Sequence, residues 1–305
     1  METILEWGLD VIGFIQAFQT PLLNSIFQAI TRLGGIMSFW LVLPFLFWCV
    51  DYKLGIRVTV LCSISAFGNF WLKDIFSQPR PFAFDPGVGI ATARGYGLPS
   101  GHAQGSLVLW GSLAAWAQKK WFWVLAGIIV ALIGLSRVYL GVHLPTDVLA
   151  GWAVGSGFLT LYFFLRPGIE TWINGQSVGM KMLLSLAIPL GLLLMHPSSF
   201  GGYQLGMLAG VGIGGALKAR YVPFCAGGTG WMGFVRYIIG ITFLFVLLAV
   251  FRGAYPAEQT ALYLVIAFLH SAINGVWISL GGPWLFRLLG LEGIRRARQN
   301  KTQNW

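Results

Sequence analysis

His143 and Asp147 lie four residues apart in the stretch SRVYLGVHLPTD, residues 136–147, between two long apolar runs. This spacing places both side chains on one face of the helix that begins there, and Pro145 is tolerated in its first turn. A carboxylate bonded to one imidazole nitrogen fixes the tautomer and leaves the lone pair of the other nitrogen free to attack. Arg137 adds a cation for the developing negative charge. The stretch therefore predicts nucleophilic chemistry on an anionic substrate.

A second polar cluster is KDIFSQPRP, residues 73–81, where Lys73 ends an apolar run and Arg80 lies between two prolines. The prolines favour an extended backbone and hold the guanidinium in place. Two fixed cations suit an anion with several oxygens. The alternative for Lys73 is an anchor at the end of a membrane helix, with its charge in the head-group layer.

The third cluster is PSGHA, residues 99–103, in which Pro99, Ser100 and Gly101 precede a helix that begins near His102. Ser100 is a natural N-cap, and Gly101 removes side-chain bulk where a ligand could touch the backbone. Free N–H groups at a helix start bind phosphate, and His102 would lie beside that anion. The alternative is a capping turn with an interfacial histidine.

Charge balance favours an anion site that works without a metal. Lys73, Arg80 and Arg137 would repel one another without a bound polyanion, and the chain has only ten acidic residues, with no Asp/Glu cluster to hold a metal. The cations themselves are then expected to stabilise the developing charge. The sequence predicts no metal and no other cofactor.

The elements that position these clusters are membrane helices. The chain has 305 residues, of which 56% are hydrophobic and 10% charged, and its mean hydropathy is +0.73. This composition predicts a polytopic, all-α bundle of about nine transmembrane helices. The expected spans are 35–51, 54–76, 102–117, 121–139, 144–165, 180–196, 203–218, 234–252 and 258–281.

The net charge of +10 does not indicate a nucleic-acid partner, because the basic residues are dispersed over short loops and concentrated in a tail, RRARQNK. That pattern sets membrane topology instead. It places the C-terminus in the cytoplasm and, with nine spans, the N-terminus outside. All three polar clusters then fall on the extracytoplasmic side. No oligomeric state is predicted.

Four regions are expected along the chain. They are two interfacial amphipathic helices at 1–34, a phosphate-site core at 35–166, additional transmembrane helices at 180–281 and a basic cytoplasmic tail at 285–305. In the third region, Gly202, Gly206, Gly210 and Gly214 recur at steps of four and predict a flat helix face that lets another helix approach closely. A substrate groove is the alternative for that face.

The combined pattern resembles the three signature motifs of the type 2 phosphatidate phosphatase superfamily. Lys73 is followed by six residues and Arg80-Pro81, then comes Pro99-Ser100-Gly101-His102, and then Ser136-Arg137 with five residues to His143 and three more to Asp147. The motifs occur in order at the spacings of that family. The resemblance covers roughly residues 35–165.

The resemblance implies a metal-independent phosphomonoester or diphosphate hydrolase with a five-helix core. The residue matching His143 would be the nucleophile and form a phosphohistidine, the one matching Asp147 would orient it, and the one matching His102 would protonate the leaving oxygen. The remaining matches would hold the phosphate: Lys73, Arg80, Ser100, Gly101 and Arg137.

The expected substrates are lipid phosphates or diphosphates in a membrane, and undecaprenyl diphosphate in a bacterial plasma membrane is one case. Phosphatidate-like and sphingoid phosphates are others. The nine spans and outside N-terminus also resemble the glucose-6-phosphatase and sphingosine-phosphate phosphatase branches, which leaves a soluble sugar phosphate open. A phosphotransferase, in which a second lipid intercepts the phosphohistidine, would carry the same motifs. Vanadate haloperoxidases share the anion site but lack these membrane spans.

Two alternatives come from other functional classes. A transporter would place polar residues or broken helices at mid-membrane depth in related halves, whereas the charges here cluster at one surface and no second half matches. A binding protein of the same fold would have lost the nucleophile or the acid, whereas His102, His143 and Asp147 are all present.

Overall fold

The described part of the chain, residues 2–253, 255–256 and 260–293 of a computed structural model, contains helices, turns and loops but no strand. The predicted all-α class is therefore confirmed. Most of the expected basic tail, from residue 294 onward, lies outside the described residues. The helices are α1 (Glu2–Gln16), α2 (Pro21–Arg32), α3 (Ile36–Phe45), α4 (Tyr52–Phe76), α5 (Pro81–Phe84), α6 (Gly101–Ala117), α7 (Lys120–Tyr139), α8 (Pro145–Asn174), α9 (Val178–Met195), α10 (Ser199–Tyr221), α11 (Gly230–Arg252), α12 (Ala261–Val276) and α13 (Gly282–Leu288).

Side-chain caps mark the beginning of many of these helices. In each case a Ser or Thr at the N-cap accepts a hydrogen bond from the backbone N–H three residues on, which satisfies one of the free donors of the first turn. The capping residues are Thr20, Ser100, Ser177, Ser198, Thr229 and Thr260. Short polar sequences between apolar runs thus fix where the chain turns.

Six of the described helical stretches are long and apolar enough to cross a membrane, and a seventh results if the bent pair of α2 and α3 counts as one span. The described residues of the nine expected spans fall largely on helices, but the count of nine is approximate. With 17 residues, α6 is about 26 Å long and shorter than a typical span. The α10 helix is rich in glycine and has Lys218 and Arg220 in its last turn.

The described chain divides into two compact units. Unit 1 consists of Met1–Phe39 and Gly68–Phe164, and unit 2 of Trp40–Phe67 and Leu165–Trp305. Every predicted site residue belongs to unit 1. Its apolar core is built from α1, α6, the end of α7 and the start of α8, with these buried members: Ile12, Val88, Ala103, Val138, Leu144 and Val148.

Within unit 1, the turn between α7 and α8 depends on Gly141, which has φ of +67°. A Cβ atom at this position would lie closer than 3.0 Å to the Val88 carbonyl oxygen. Glycine therefore satisfies both the left-handed backbone and the close packing of this turn. The turn sets the direction in which the chain passes from Arg137 to His143.

In unit 2, the glycine face of α10 packs against α12, as the steps of four predict. A Cβ atom on Gly206 or Gly210 would lie closer than 3.0 Å to the carbonyl oxygen of Phe268 or Ala272. The two backbones are therefore in direct contact, which is the geometry that small residues permit in membrane helices. The unit also has an aromatic core around Trp48, whose indole N–H donates to the Ile278 carbonyl at 2.8 Å.

We expect Gly210→Ala to destabilise the protein, because the added methyl group has no space between α10 and α12. Overpacking of this kind typically costs about 1–3 kcal/mol. The control is Gly191→Ala in α9, where a Cβ atom would have no neighbour within 4 Å. Thermal unfolding in detergent should show a lower Tm for Gly210→Ala alone; equal Tm values would contradict the close packing.

Candidate active site

His143 is buried in the turn before α8, next to Asp147 in the first turn of that helix. The Asp147 Oδ2 atom lies 3.2 Å from His143 Nδ1 and accepts a hydrogen bond from the Leu144 backbone N–H at 3.0 Å. The carboxylate therefore fixes both the imidazole and the turn that carries it. This is the local geometry expected from the four-residue spacing.

The tautomer of His143 follows from its second neighbour. Arg80 NH1 lies 3.0 Å from His143 Nε2. A guanidinium can only donate, so Nε2 must accept and the imidazole proton must be on Nδ1, from which it is donated to Asp147. The nitrogen facing the cations thus carries a lone pair.

Burial, together with the positive charges of Arg80, Arg137 and Lys73, lowers the pKa of His143 well below its usual range. Both effects act in the same direction, because a buried imidazolium beside cations is doubly unfavourable. His143 is therefore neutral at physiological pH and across mildly acidic pH. A neutral imidazole is the form that can act as a nucleophile.

Lys73 and Arg80 are buried and held by backbone carbonyl groups. Lys73 Nζ donates to the carbonyls of Tyr96 and Gly97 at 2.7 and 2.8 Å. Arg80 donates to the carbonyls of Gly95 (2.8 Å), Arg94 (2.8 Å) and Val142 (2.9 Å). The segment 94–97 therefore wraps around both cations and orients them beside His143.

The PSGH stretch lies at the start of α6, as expected. Ser100 caps the helix, with its Oγ accepting from the Ala103 N–H at 3.5 Å, and its own backbone N–H donates to the Asp147 carbonyl at 2.9 Å. A Cβ atom on Gly101 would lie 3.0 Å from Asn69 Oδ1, so this position has little room for a side chain. The sequence motif thus packs directly against the first turn of α8.

His102, on the first turn of α6, is partly buried. The Gly34-Gly35 turn between α2 and α3 lies against it, because Cβ atoms there would be 3.5 Å from His102 Cδ2 and 3.6 Å from His102 Nε2. The His102 ring therefore lies between the first turn of α6 and the turn that joins α2 to α3.

Arg137, in the last turn of α7, is buried with an exposed fraction of 7%. Its NH1 atom donates to Thr31 Oγ1 at 2.6 Å, whereas its buried Nε atom has no acceptor among the residues that the structure describes. Together with Lys73 and Arg80 it surrounds His143 with positive charge. A ligand with several anionic oxygens would satisfy the donors that remain.

Several contributing groups were not predicted from the sequence. Gln78 Nε2 donates to Asp147 Oδ1 at 3.0 Å, and Asn69 Nδ2 donates to Gln104 Oε1 at 2.7 Å beneath the PSGH turn. Gln78 lies two residues before Arg80, so its position inside the motif at 73–81 could have indicated that it belongs to the site. The carbonyls of segment 94–97 carry no signal in residue type, because every residue has one.

The comparisons with known proteins agree with these motifs. Residues 53–169 match the PAP2 superfamily, and residues 203–296 match the PAP2 superfamily phosphatase transmembrane extension. Phosphatidylglycerophosphatase B of Bacillus subtilis is 32% identical over 168 residues, which are 50% of this chain and 78% of that protein. The chain therefore belongs to the PAP2 superfamily.

Two further similarities were found, one to a plant protein and one to a solved structure. Lipid phosphate phosphatase delta of Arabidopsis thaliana is 28% identical over 235 residues, which are 67% of this chain, and the chain spans 55% of the length of that relative. A crystal structure of a transmembrane PAP2-type phosphatidylglycerolphosphate phosphatase from B. subtilis is similar with a TM-score of 0.48 and 24% identity, covering 56% of this chain and 88% of that one.

We expect Gln78→Leu to lower turnover of a phosphate ester about tenfold, because Asp147 loses a hydrogen bond that holds its carboxylate in place. The matched control is Gln176→Leu, which removes an exposed amide that bonds to the Trp172 carbonyl, four residues earlier in the chain. Steady-state rates and Tm should be measured for both variants. Wild-type turnover in Gln78→Leu would show that this contact does not position Asp147.

We expect His143 to remain neutral, with its proton on Nδ1, at pH 5.5. An unperturbed histidine has a pKa of about 6.5 and is mostly protonated there. The shift to a lower pKa predicts that protonation of His143 in the native protein begins only at still lower pH. The measurement is ¹⁵N NMR of the four labelled histidines in detergent, with His143→Ala used to assign its signal. An imidazolium signal for His143 at pH 5.5 would contradict the geometry.

Proposed function

We propose that this protein is a membrane phosphatase that hydrolyses lipid phosphates or diphosphates without a metal, through a phosphohistidine on His143. The observation that carries the proposal is the geometry of the His143 imidazole, which contacts Asp147 through Nδ1 and the Arg80 guanidinium through Nε2. A lone pair that points at buried positive charge is aimed at the place where an anionic phosphoryl group would bind.

The resting site already contains a contact that substrate must replace. Arg80 NH1 lies on the lone pair of His143 Nε2, and the same atom donates to the Val142 carbonyl. An incoming phosphoryl group offers Arg80 anionic oxygens, which are stronger acceptors than an imidazole nitrogen. Substrate binding would then turn Arg80 onto phosphate and release Nε2 for attack.

In the proposed first step, His143 Nε2 forms a bond to phosphorus and the bond between phosphorus and the leaving oxygen breaks. His102 donates a proton to that oxygen, and Asp147 stabilises the imidazolium character that develops on His143. The alcohol, or the phosphomonoester when the substrate is a diphosphate, leaves in this step. Water then attacks the phosphohistidine, its proton passes to His102, the bond between phosphorus and Nε2 breaks, and inorganic phosphate leaves. Lys73, Arg80, Arg137 and the backbone at Ser100-Gly101 would bind the phosphoryl oxygens throughout.

A lipid substrate is supported by the membrane helices and by the names of the relatives, a lipid phosphate phosphatase and a phosphatidylglycerophosphatase. We propose residues 35–166 as the catalytic core and 180–281 as an added membrane region. The distribution of basic loops supports a site at head-group level on the extracytoplasmic side, with the C-terminus in the cytoplasm. We propose the plasma membrane of a bacterium as the location.

The test is phosphate release by the purified full-length protein in detergent with excess EDTA. The panel contains phosphatidate, phosphatidylglycerophosphate, prenyl diphosphate, sphingosine phosphate and glucose 6-phosphate. We expect release from at least one lipid in chelator, and a loss of at least about a thousandfold in His143→Ala, because that variant has no nucleophile.

The control is His196→Ala, which removes a histidine of unit 2. Protein quenched with alkaline SDS during turnover of a ³²P-labelled substrate should carry base-stable, acid-labile label in wild type and none in His143→Ala. Activity that disappears in EDTA, or that survives loss of His143, would refute the mechanism. Release from glucose 6-phosphate alone would refute the lipid substrate class while leaving the phosphohistidine step in place.

A further inference from the structure

The Arg137 guanidinium is held differently from the other two cations of the site. Lys73 and Arg80 are each held by two or three backbone carbonyls, whereas the Arg137 side chain donates to one hydroxyl, Thr31 Oγ1, at 2.6 Å. Its Nε atom is buried without an acceptor among the described residues. Its orientation therefore depends on a single side chain.

Thr31 belongs to a stripe on α2 that faces the end of α7. Asn24, Phe27 and Thr31 are spaced by three and four residues, so they share one face of the helix. The Tyr139 hydroxyl donates to Asn24 Oδ1 at 2.7 Å, and the Phe27 ring stacks on the Tyr139 ring with centroids 4.1 Å apart. These two contacts fix α2 against the end of α7. They thereby hold Thr31 next to Arg137.

The chain that follows α2 reaches a second residue of the site. The turn at Gly34-Gly35 lies against the His102 ring, and the Ser38 hydroxyl closes this turn by donating to the Arg32 carbonyl at 2.8 Å. One short segment, residues 24–35, therefore contacts both Arg137 and His102. This segment lies outside the region that matches the PAP2 superfamily, which begins at residue 53.

We infer that Thr31 is a positioning residue: its hydroxyl fixes the Arg137 guanidinium in the orientation that binds an oxyanion at the His143 site. The expected effect of Thr31 on catalysis rests on the proposed function, whereas its expected effect on anion binding does not. Without the hydroxyl, a buried guanidinium would turn toward another acceptor, and its remaining N–H groups would no longer converge on the phosphoryl oxygens. The N-terminal helices are then part of the active site and not only a membrane anchor.

The experiment compares wild type, Thr31→Val and Thr31→Ser as full-length proteins in detergent. Valine keeps the branched shape and removes the acceptor, whereas serine keeps the hydroxyl. The matched control is Ser25→Ala, which removes a hydroxyl on the same helix that donates only to the Pro21 carbonyl in its own turn. Thr31→Ala replaces Thr31→Val if the valine variant does not fold. Each protein is measured for kcat and KM on the lipid that wild type prefers, for Tm without ligand, and for the rise in Tm with orthovanadate.

We expect Thr31→Val to lose about ten- to a hundredfold in kcat/KM, as for removal of one hydrogen bond to a charged group, and to lose most of the vanadate-dependent rise in Tm. Thr31→Ser should recover both to within about threefold of wild type, and Ser25→Ala should match wild type. The Tm values without ligand should remain close together, which separates positioning from a general loss of stability.

The inference would be overturned if Thr31→Val bound vanadate as well as wild type does. It would also be overturned if Thr31→Ser lost as much kcat/KM and as much of the vanadate-dependent rise in Tm as Thr31→Val. If wild type binds vanadate but hydrolyses no member of the panel, the proposed function fails while the vanadate shifts of the variants still decide the role of Thr31. If wild type shows neither turnover nor vanadate binding, Arg137 serves no oxyanion site and the inference fails as well.

Discussion

The buried positive charge around His143 is the constraint on which the rest of the site depends. Cations taken out of water are costly unless polar groups replace their hydration. Five backbone carbonyls do so for Lys73 and Arg80, and four of the five belong to segment 94–97. Carbonyl dipoles solvate the cations without neutralising them, so the site keeps an affinity for an anion.

The same charge determines the protonation state of His143. It holds the imidazole neutral, and the donor on Arg80 assigns the proton to the nitrogen that faces Asp147. Asp147 is fixed in turn by the Leu144 N–H and by the Gln78 amide. The motifs at 73–81 and 136–147 are therefore joined by hydrogen bonds from Gln78 to Asp147 and from Arg80 to the Val142 carbonyl.

Unit 2 follows a different principle. Its described helices pack through glycine and aromatic contacts, as in the direct backbone approach of α10 to α12. The steps of four predicted a close-packed face, because periodicity depends only on local helix geometry. They could not name α12 as the partner, because many apolar helices are equally able to cover such a face.

Local chemistry determined much of this protein from the sequence: the helical class, the positions of the helices, the capping of α6 by Ser100 and the shared face of His143 and Asp147 all follow from residue type and short spacing. The tertiary structure alone brought Gln78 to Asp147, the carbonyls of segment 94–97 to Lys73 and Arg80, and Thr31 to Arg137. These contacts join residues from about 15 to over 100 positions apart, or use backbone groups that every residue has. Spacing along a chain constrains neighbours within a few helical turns, whereas only packing decides which distant groups meet.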